Sequence, residues 1–350
     1  MKNIVIVAPI LSGQGGTETV ITKVINEFKT NDKMNVKLLL LGKPKNTEWL
    51  DKIDKKDVII CKSKSKIFRI IWYFVFLLKK KYSDIVIINT QLIHITHLIR
   101  RFLKLNVRIY SWIHFSLLNS NTVNLKFLRE ADRHLAISSG IKKQLIDLDV
   151  PEDRINLVYN PISVNDHTIQ KSNDGVFRFL YVGRIEYNHQ KNMESFLNAL
   201  SKIKGEWQLQ IIGDGEDVKQ CKSLSKKLGI ERKLVWDGWK KYPWKEVSMV
   251  DSLVLPSNYE GLPMVLLEAL SYGIPCVATD CPTGPEDIIV DKANGRLTKV
   301  NDSNDLAEKL QWMMNNSKSM GSDDLKTSIN KFYDINYFET LKRALLLEKG

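Results

Sequence analysis

Apolar residues come along this chain in short, nearly unbroken runs, each followed by a turn and then by helical spacing. Residues 4–9, 36–41, 57–60, 85–89, 108–113 and 134–137 read as strands, and a helix is expected over about 17–30. Strands that do not alternate polar with apolar are buried on both sides, which calls for a parallel sheet covered on both faces. A polar stretch at 163–175, with Asn165, Asp166, Ser172, Asn173, Asp174 and Gly175, reads as a linker. Beyond it a second series of strands is expected at 177–182, 207–212, 233–236, 252–255 and 275–279. The fold class is therefore α/β, with two Rossmann-like doubly wound domains over residues 1–165 and 166–334. The tail 325–347 looks helical and carries Phe332, Tyr333, Tyr337 and Phe338, so a C-terminal helix at about 335–350 is expected to complete the first domain. Ligands in such sheets bind beyond the carboxyl ends of the strands, and two facing domains put the site in the cleft between them.

A length of 350 residues suits two domains, and 43% hydrophobic residues suffice for two cores. No apolar stretch reaches the roughly 20 residues that span a bilayer. The start, Met1-Lys2-Asn3-Ile4-Val5-Ile6-Val7, is strand-like and has no signal-peptide cleavage site. Cys61, Cys221, Cys276 and Cys281 form no CxxC pair, so free thiols in a reducing cytoplasm are expected. Charge changes the picture more. Residues 1–165 hold 27 Lys and Arg against 14 Asp and Glu, and the remainder holds 25 against 26, so the whole excess of +12 lies in the N-terminal half. One half alone thus invites an anionic partner.

The first loop is Ser12-Gly13-Gln14-Gly15-Gly16-Thr17-Glu18. A dinucleotide fingerprint would need glycine where Glu18 stands, which argues against a nicotinamide dehydrogenase. Two readings of the loop stand: backbone amides approaching an anion, or a tight turn capping a helix. In the second domain the strand 177–182 runs into Gly183-Arg184, with Lys191 before the next helix. An Arg fork and a Lys point charge around one strand-to-helix turn can clamp a diphosphate. Further on, Tyr259-Glu260-Gly261-Leu262-Pro263-Met264-Val265-Leu266-Leu267-Glu268 carries two glutamates, Glu260 at a helix entrance and Glu268 about two turns on. Free N–H groups at that helix start suit phosphate or sugar oxygens, and carboxylates there accept hydrogen bonds from hydroxyls.

Taken together, Gly15-Gly16, Gly183-Arg184 with Lys191, Gly213-Asp214-Gly215 and the pair Glu260 and Glu268 resemble the retaining family four of glycosyltransferases with the GT-B fold, over nearly the whole chain. Trp112-Ile113-His114-Phe115-Ser116, Asn160-Pro161, Gly238-Trp239, Tyr242-Pro243-Trp244 and Cys281-Pro282-Thr283-Gly284-Pro285 are similar to its bacterial lipopolysaccharide 1,6-galactosyltransferases. The resemblance implies a UDP-hexose donor, galactose favoured, and a glycolipid or polysaccharide acceptor. It implies that Arg184 and Lys191 hold the diphosphate, Glu268 the ribose hydroxyls and Glu260 the hexose. The amides of Gly261, Leu262, Met264 and Val265 would complete a cradle, with Gly15 and Gly16 approaching phosphate from the other domain. His114 would lie near the donor sugar, and backbone around 236–239, with Gly238 and Trp239, would hold uracil. Gly183 and Gly213 line the same site. The family retains anomeric configuration without an established protein nucleophile.

No cofactor or metal is expected. No DxD sits at a strand end, and His94 and His97 have helical ligand spacing without a third ligand. In this fold the N-terminal domain receives the acceptor, and here it carries Lys62, Lys64, Lys66 and Arg69 ahead of the apolar run 70–78, then Lys79, Lys80 and Lys81. Arg100, Arg101, Lys104 and Arg108 form a second cluster. The segment 67–78 is either a buried helix or a seat on an anionic membrane, and a cytoplasmic protein at the inner face of the cell membrane is expected. Charge alone suggests nucleic acid, and no recognition module supports it. Alternatives to the transferase are a UDP-sugar 2-epimerase of the same fold and a catalytically silent partner subunit.

Overall fold

The computed structural model describes residues 2–13, 15–29, 34–79, 82–118 and 123–346. Gln14, Thr30, Lys80, Lys81 and the last residues of the expected C-terminal helix lie outside them. The chain divides into two compact units, one up to Pro161 together with the segment from Tyr337, the other Ile162–Asn336.

The N-terminal unit runs β1 (Lys2–Ala8), α1 (Gly16–Phe28), β2 (Met34–Leu40), β3 (Val58–Ile60), α2 (Lys66–Lys79), β4 (Asp84–Ile87) and α3 (Thr90–Leu103). It continues through β5 (Arg108–Ser111), α4 (Leu125–Leu128), β6 (Arg133–Ala136), α5 (Ser139–Asp147) and β7 (Ile155–Leu157). Its seven strands are all parallel in the order β3-β2-β1-β4-β5-β6-β7. Every residue of β1 from Ile4 to Ala8 is buried, so both faces of this strand are covered. The order reverses between β1 and β4, the place where doubly wound sheets open a crevice at their carboxyl ends.

The C-terminal unit runs β8 (Phe177–Val182), α6 (Met193–Leu200), β9 (Trp207–Ile212), α7 (Val218–Lys227), β10 (Leu234–Gly238), β11 (Ser252–Leu255) and α8 (Met264–Ser271). Then come β12 (Cys276–Thr279), α9 (Pro285–Ile288), β13 (Gly295–Thr298), α10 (Ser303–Asn316) and α11 (Ser322–Thr327). Its six parallel strands lie in the order β10-β9-β8-β11-β12-β13, reversing between β8 and β11. The last helix, α12 (Asp334–Leu346), sets Phe338 edge-on against Phe28 of α1 at 6.1 Å in the N-terminal unit.

Four details differ from the sequence reading. The polar stretch 163–175 is not a free linker. Lys171 Nζ donates to the carbonyls of Ser317 and Met320, and Asp251 accepts from Ser172 N–H, so these polar groups stitch the stretch to the C-terminal unit and the division falls after Pro161 rather than 165. The tail is not one helix, because the chain leaves α11 for a turn that buries Phe332 and pairs Ile162 with Tyr333 before α12 begins. Strands β7 and β13 went unread, since one has three residues and the other opens on Gly295 and carries Arg296. Glu268 stands little more than one turn into α8, which starts only after Pro263.

Candidate functional site

Gly183 and Arg184 follow β8, and Asn258, Tyr259 and Glu260 follow β11, so the two loops flank the reversal of strand order. Asn192 caps α6 in a left-handed conformation (φ 44°) and is buried. Its side-chain amide donates to Asn258 Oδ1 at 2.9 Å, while Asn258 donates to the carbonyl of His189 and Gln190 to that of Tyr259. These bonds knit the segment carrying Lys191 to the segment carrying Glu260.

The result is a close pair. Lys191 Nζ lies 2.6 Å from Glu260 Oε1, with 17% and 9% of the side chains exposed. Thr283 donates its hydroxyl to the carbonyl of Glu260, and a Cβ at Gly284 would stand 2.7 Å from the carbonyl of Gly261, so this turn is packed from beneath by backbone. Arg184 is exposed and pairs with Glu186 Oε1 at 2.7 Å, while Glu186 Oε2 accepts from the N–H of Lys191. One carboxylate thus ties the Arg184 guanidinium to the backbone of Lys191.

The amides of Gly261, Leu262, Met264 and Val265 have no acceptor among the described residues. The first turn of a helix leaves such donors unpaired, and the helix dipole adds positive potential there. α8 has no acidic residue in its first turn to take them. A buried ion pair beside four open amides can receive a group that is anionic at one end and rich in hydroxyls at the other.

Gly213 and Gly215 serve backbone packing. A Cβ at Gly213 would lie 1.8 Å from the carbonyl of Gly183, and one at Gly215 1.9 Å from that of Ile185. Gly213 also donates to the carbonyl of Gly238, which turns with φ +70° into the half-exposed Trp239.

Gly15, Gly16 and His114 belong to the N-terminal unit, at the carboxyl ends of β1 and β5. The N–H groups of Gly13 and Gly15 donate to the Glu18 carboxylate at 2.6 and 3.2 Å, and Ser12 Oγ to the same group at 3.1 Å. The Gly15 amide that the sequence offers to phosphate is therefore already committed. His114 packs against Trp112 at 4.6 Å, and its Nε2 is buried with no hydrogen-bond partner among the described residues. Burial holds its pKa down to about 3, so the ring is neutral at physiological pH. His94 is paired with Glu130 at 2.8 Å.

Two family models cover this chain, one described as Glycosyltransferase Family 4 over residues 14–166, the other as Glycosyl transferases group 1 over 164–326. The lipopolysaccharide 1,6-galactosyltransferase of Salmonella typhimurium is 35% identical over 356 residues, which cover 98% of each chain. The chain belongs to the family-four glycosyltransferases. A solved apo lipopolysaccharide outer core galactosyltransferase superposes with a TM-score of 0.89 at 33% identity, over 98% of this chain and 99% of that one. Anabaena HepE, solved with UDP, shares the fold at a TM-score of 0.81 and 15% identity, over 99% of each chain. The architecture is GT-B, two Rossmann-like domains with parallel sheets.

This glycosyltransferase also carries a contact that residue types alone did not disclose. Trp244 Nε1 donates to Glu268 Oε2 at 2.9 Å, and its ring stacks on Tyr272 at 5.1 Å. The indole is thus one partner of the carboxylate expected to meet ribose. The segment Tyr242-Pro243-Trp244, between Lys241 and Lys245, marked the place in the sequence but gave the indole no role.

Proposed function

We propose that the protein is a retaining hexosyltransferase that moves a hexose, galactose favoured, from a UDP-sugar to a membrane-associated glycan or glycolipid in lipopolysaccharide or related cell-surface polysaccharide synthesis. The observation that carries this reading is the Lys191–Glu260 pair at 2.6 Å beside the open amides before α8. Without donor, cation and carboxylate satisfy each other. With donor, the diphosphate takes Lys191, Arg184 and the amides, while Glu260 accepts from a hexose hydroxyl and Glu268 from the ribose. The name of the Salmonella relative supports galactose and lipopolysaccharide, and the UDP held by HepE supports the nucleotide.

As the anomeric C–O bond breaks, negative charge grows on the β-phosphate oxygen. Once the bound donor has drawn Lys191 from Glu260 and Arg184 from Glu186, these cations and the α8 amides stabilise that charge electrostatically. The acceptor hydroxyl attacks from the face that UDP leaves, and its proton passes to the departing phosphate oxygen, so configuration is retained without a protein nucleophile. A neutral His114 serves the sugar as a hydrogen-bonding group rather than as a cation. No metal takes part, and turnover is expected to persist in the presence of a chelator. The protein works in the cytoplasm at the inner face of the membrane, where its acceptor is made.

Release of UDP from a panel of UDP-hexoses, with and without membrane glycolipid, tests the reading. Acceptor-dependent turnover of one donor, lost in Glu260→Ala and Arg184→Ala, is expected. Failure to bind or turn over any UDP-sugar would sink it.

A further inference from the structure

Three loops at the carboxyl edge of the C-terminal sheet meet at one side chain. Asn192, between Lys191 and α6, is 4% exposed and left-handed at φ 44°. Glycine takes that backbone freely, and asparagine is among the few other residues that tolerate it. The backbone alone would be served by glycine, so what asparagine adds is its amide.

Both hydrogens of that amide are in use. Nδ2 donates at 2.9 Å to Asn258 Oδ1, in the loop after β11, and at 2.9 Å to Asn301 Oδ1, in the loop after β13. The second contact reaches a loop that carries no residue of the expected donor site. Asn301 is itself left-handed at φ 59° and stands just ahead of Asp302, which caps α10. Lys202, past the end of α6, holds the start of α10 through Ser303 Oγ at 2.8 Å and Asn304 Oδ1 at 2.7 Å. Both ends of α6 are thus pinned to the corner between β13 and α10.

The polarity of this junction is fixed. Asn258 Nδ2 donates at 2.7 Å to the carbonyl of His189, an atom that can only accept, so Asn258 Oδ1 is the end that faces Asn192. Residue 192 must then supply donors. A carboxylate of the same shape would meet two acceptors. Lys191 immediately precedes the junction and Glu260 lies two residues beyond Asn258, and these two side chains meet at 2.6 Å.

We propose that Asn192 is a positioning residue for the donor: braced by Asn301, its amide sets the spacing of Lys191 and Glu260 and with it the grip on the diphosphate. Glycine at this position would keep the backbone and let the loops part. Aspartate would keep the shape and drive them apart. The inference rests on the reading of Lys191 and Glu260 as diphosphate and hexose contacts given above.

Calorimetric binding of UDP and of uridine tests it, because uridine shares base and ribose with UDP and lacks the phosphates. Asn192→Gly is expected to weaken UDP about tenfold and uridine less than about twofold, and Asn301→Gly to weaken UDP about threefold. Asn294 is the control. It is fully buried and its amide bridges the Ile288 carbonyl and Ser328 Oγ elsewhere in the same unit. Asn294→Ala should lower the melting temperature and leave the ratio of UDP to uridine affinity unchanged. Asn192→Asp should be less stable than Asn192→Gly at alkaline pH. Burial among acceptors raises the carboxyl pKa of that variant in the folded state, so the deficit should shrink as the pH falls and the group gains a proton to donate. A crystal structure of Asn192→Gly should show Lys191 Nζ and Glu260 Oε1 moved apart. A pair still at 2.6 Å, equal losses for UDP and uridine, or an aspartate variant as stable as the glycine variant at every pH would overturn the proposal. A wild type that bound no UDP-sugar would sink the donor reading instead, and separated side chains in the variant crystal would still uphold the junction.

Discussion

Each unit has a glycine-bearing turn beside the reversal of its strand order, one leading from β1 into α1 and one from β11 into α8, and the two have disposed of their amides differently. In the first, the Glu18 carboxylate, three residues beyond Gly15, folds back and accepts from Gly13 and Gly15. In the second, Glu260 stands before the helix, points to Lys191 and leaves the amides of Gly261, Leu262, Met264 and Val265 without an acceptor among the described residues. A carboxylate at the third helical position closes a helix end, as in a capping box. A carboxylate ahead of the helix leaves that end to whatever anion arrives. The position of an acid relative to a helix start thus separates a self-satisfied turn from one whose donors stay open among the described residues.

The largest effect should come from the open turn. Glu260→Ala and Lys191→Ala are each expected to lower kcat/KM for the donor by about 100- to 1000-fold, in the range found for lost transition-state donors. Because the two side chains are partners, the double variant should lose less than the product of the single losses. Glu260→Gln separates chemistry from folding, since truncating one member of a buried pair leaves its partner uncompensated and destabilises the protein. If the glutamine variant kept wild-type turnover, Glu260 would be a structural partner only and the contrast between the turns would collapse.

Next in size is the packing that holds the open turn in place. Gly213→Ala puts a Cβ 1.8 Å from the carbonyl of Gly183, where something must shift. We expect a loss of about 3 kcal/mol or more in urea unfolding, together with weakened UDP binding as the Arg184 turn moves. Gly238→Ala is the control: its Cβ would meet nothing within 4 Å, and only the φ of +70° is strained, at a cost of about 1 kcal/mol. Equal effects would mean that the close approach of β8 and β9 is not what the glycine serves.

Much of this was legible beforehand because the sheets are buried on both faces, and such strands announce themselves as apolar runs: β8, β9 and β11 fall where the runs at 177–182, 207–212 and 252–255 place them. The glutamates and cations of the second unit were legible as types at a spacing. Whether a carboxylate turns toward amides or toward a lysine depends on rotamers and on the neighbouring loop, and Glu18 looked from its position like a failed fingerprint rather than a cap. The 163–175 segment misled because polar side chains that stitch a surface have the composition of those that cross a gap. The run 67–78 stayed open between core and membrane because hydrophobicity on all sides does not say which side is inside; the position of Tyr73 against Thr96 does.

A smaller effect tests the closed turn. Glu18→Ala should cost about 1 kcal/mol of stability, the usual loss for a removed helix cap. Glu18→Gln should keep part of it through its remaining carbonyl oxygen. Turnover should change less than tenfold if the Glu18 carboxylate only holds the loop. A hundredfold loss of turnover at unchanged stability would show that the first turn also serves the donor, and the comparison would have to be redrawn.

The smallest expected effect bears on the far end of the open turn. Trp244→Phe keeps a ring on Tyr272 and removes the N–H that donates to Glu268, so stacking and hydrogen bonding separate cleanly. Losing one such bond to a charged group is worth about 1.5–3 kcal/mol when nothing replaces it, and water reaching this half-buried edge reduces that. The Michaelis constant for UDP-hexose should rise roughly three- to tenfold while kcat holds, because the ribose is gripped equally before and during transfer. The telling readout is the nucleotide itself. Wild type should prefer UDP over 2′-deoxy-UDP, Glu268→Ala should abolish the preference, and Trp244→Phe should weaken it. A variant that loses affinity for both nucleotides in equal proportion would show that the indole merely props the loop, and that the orientation of Glu268 is set by α8 itself.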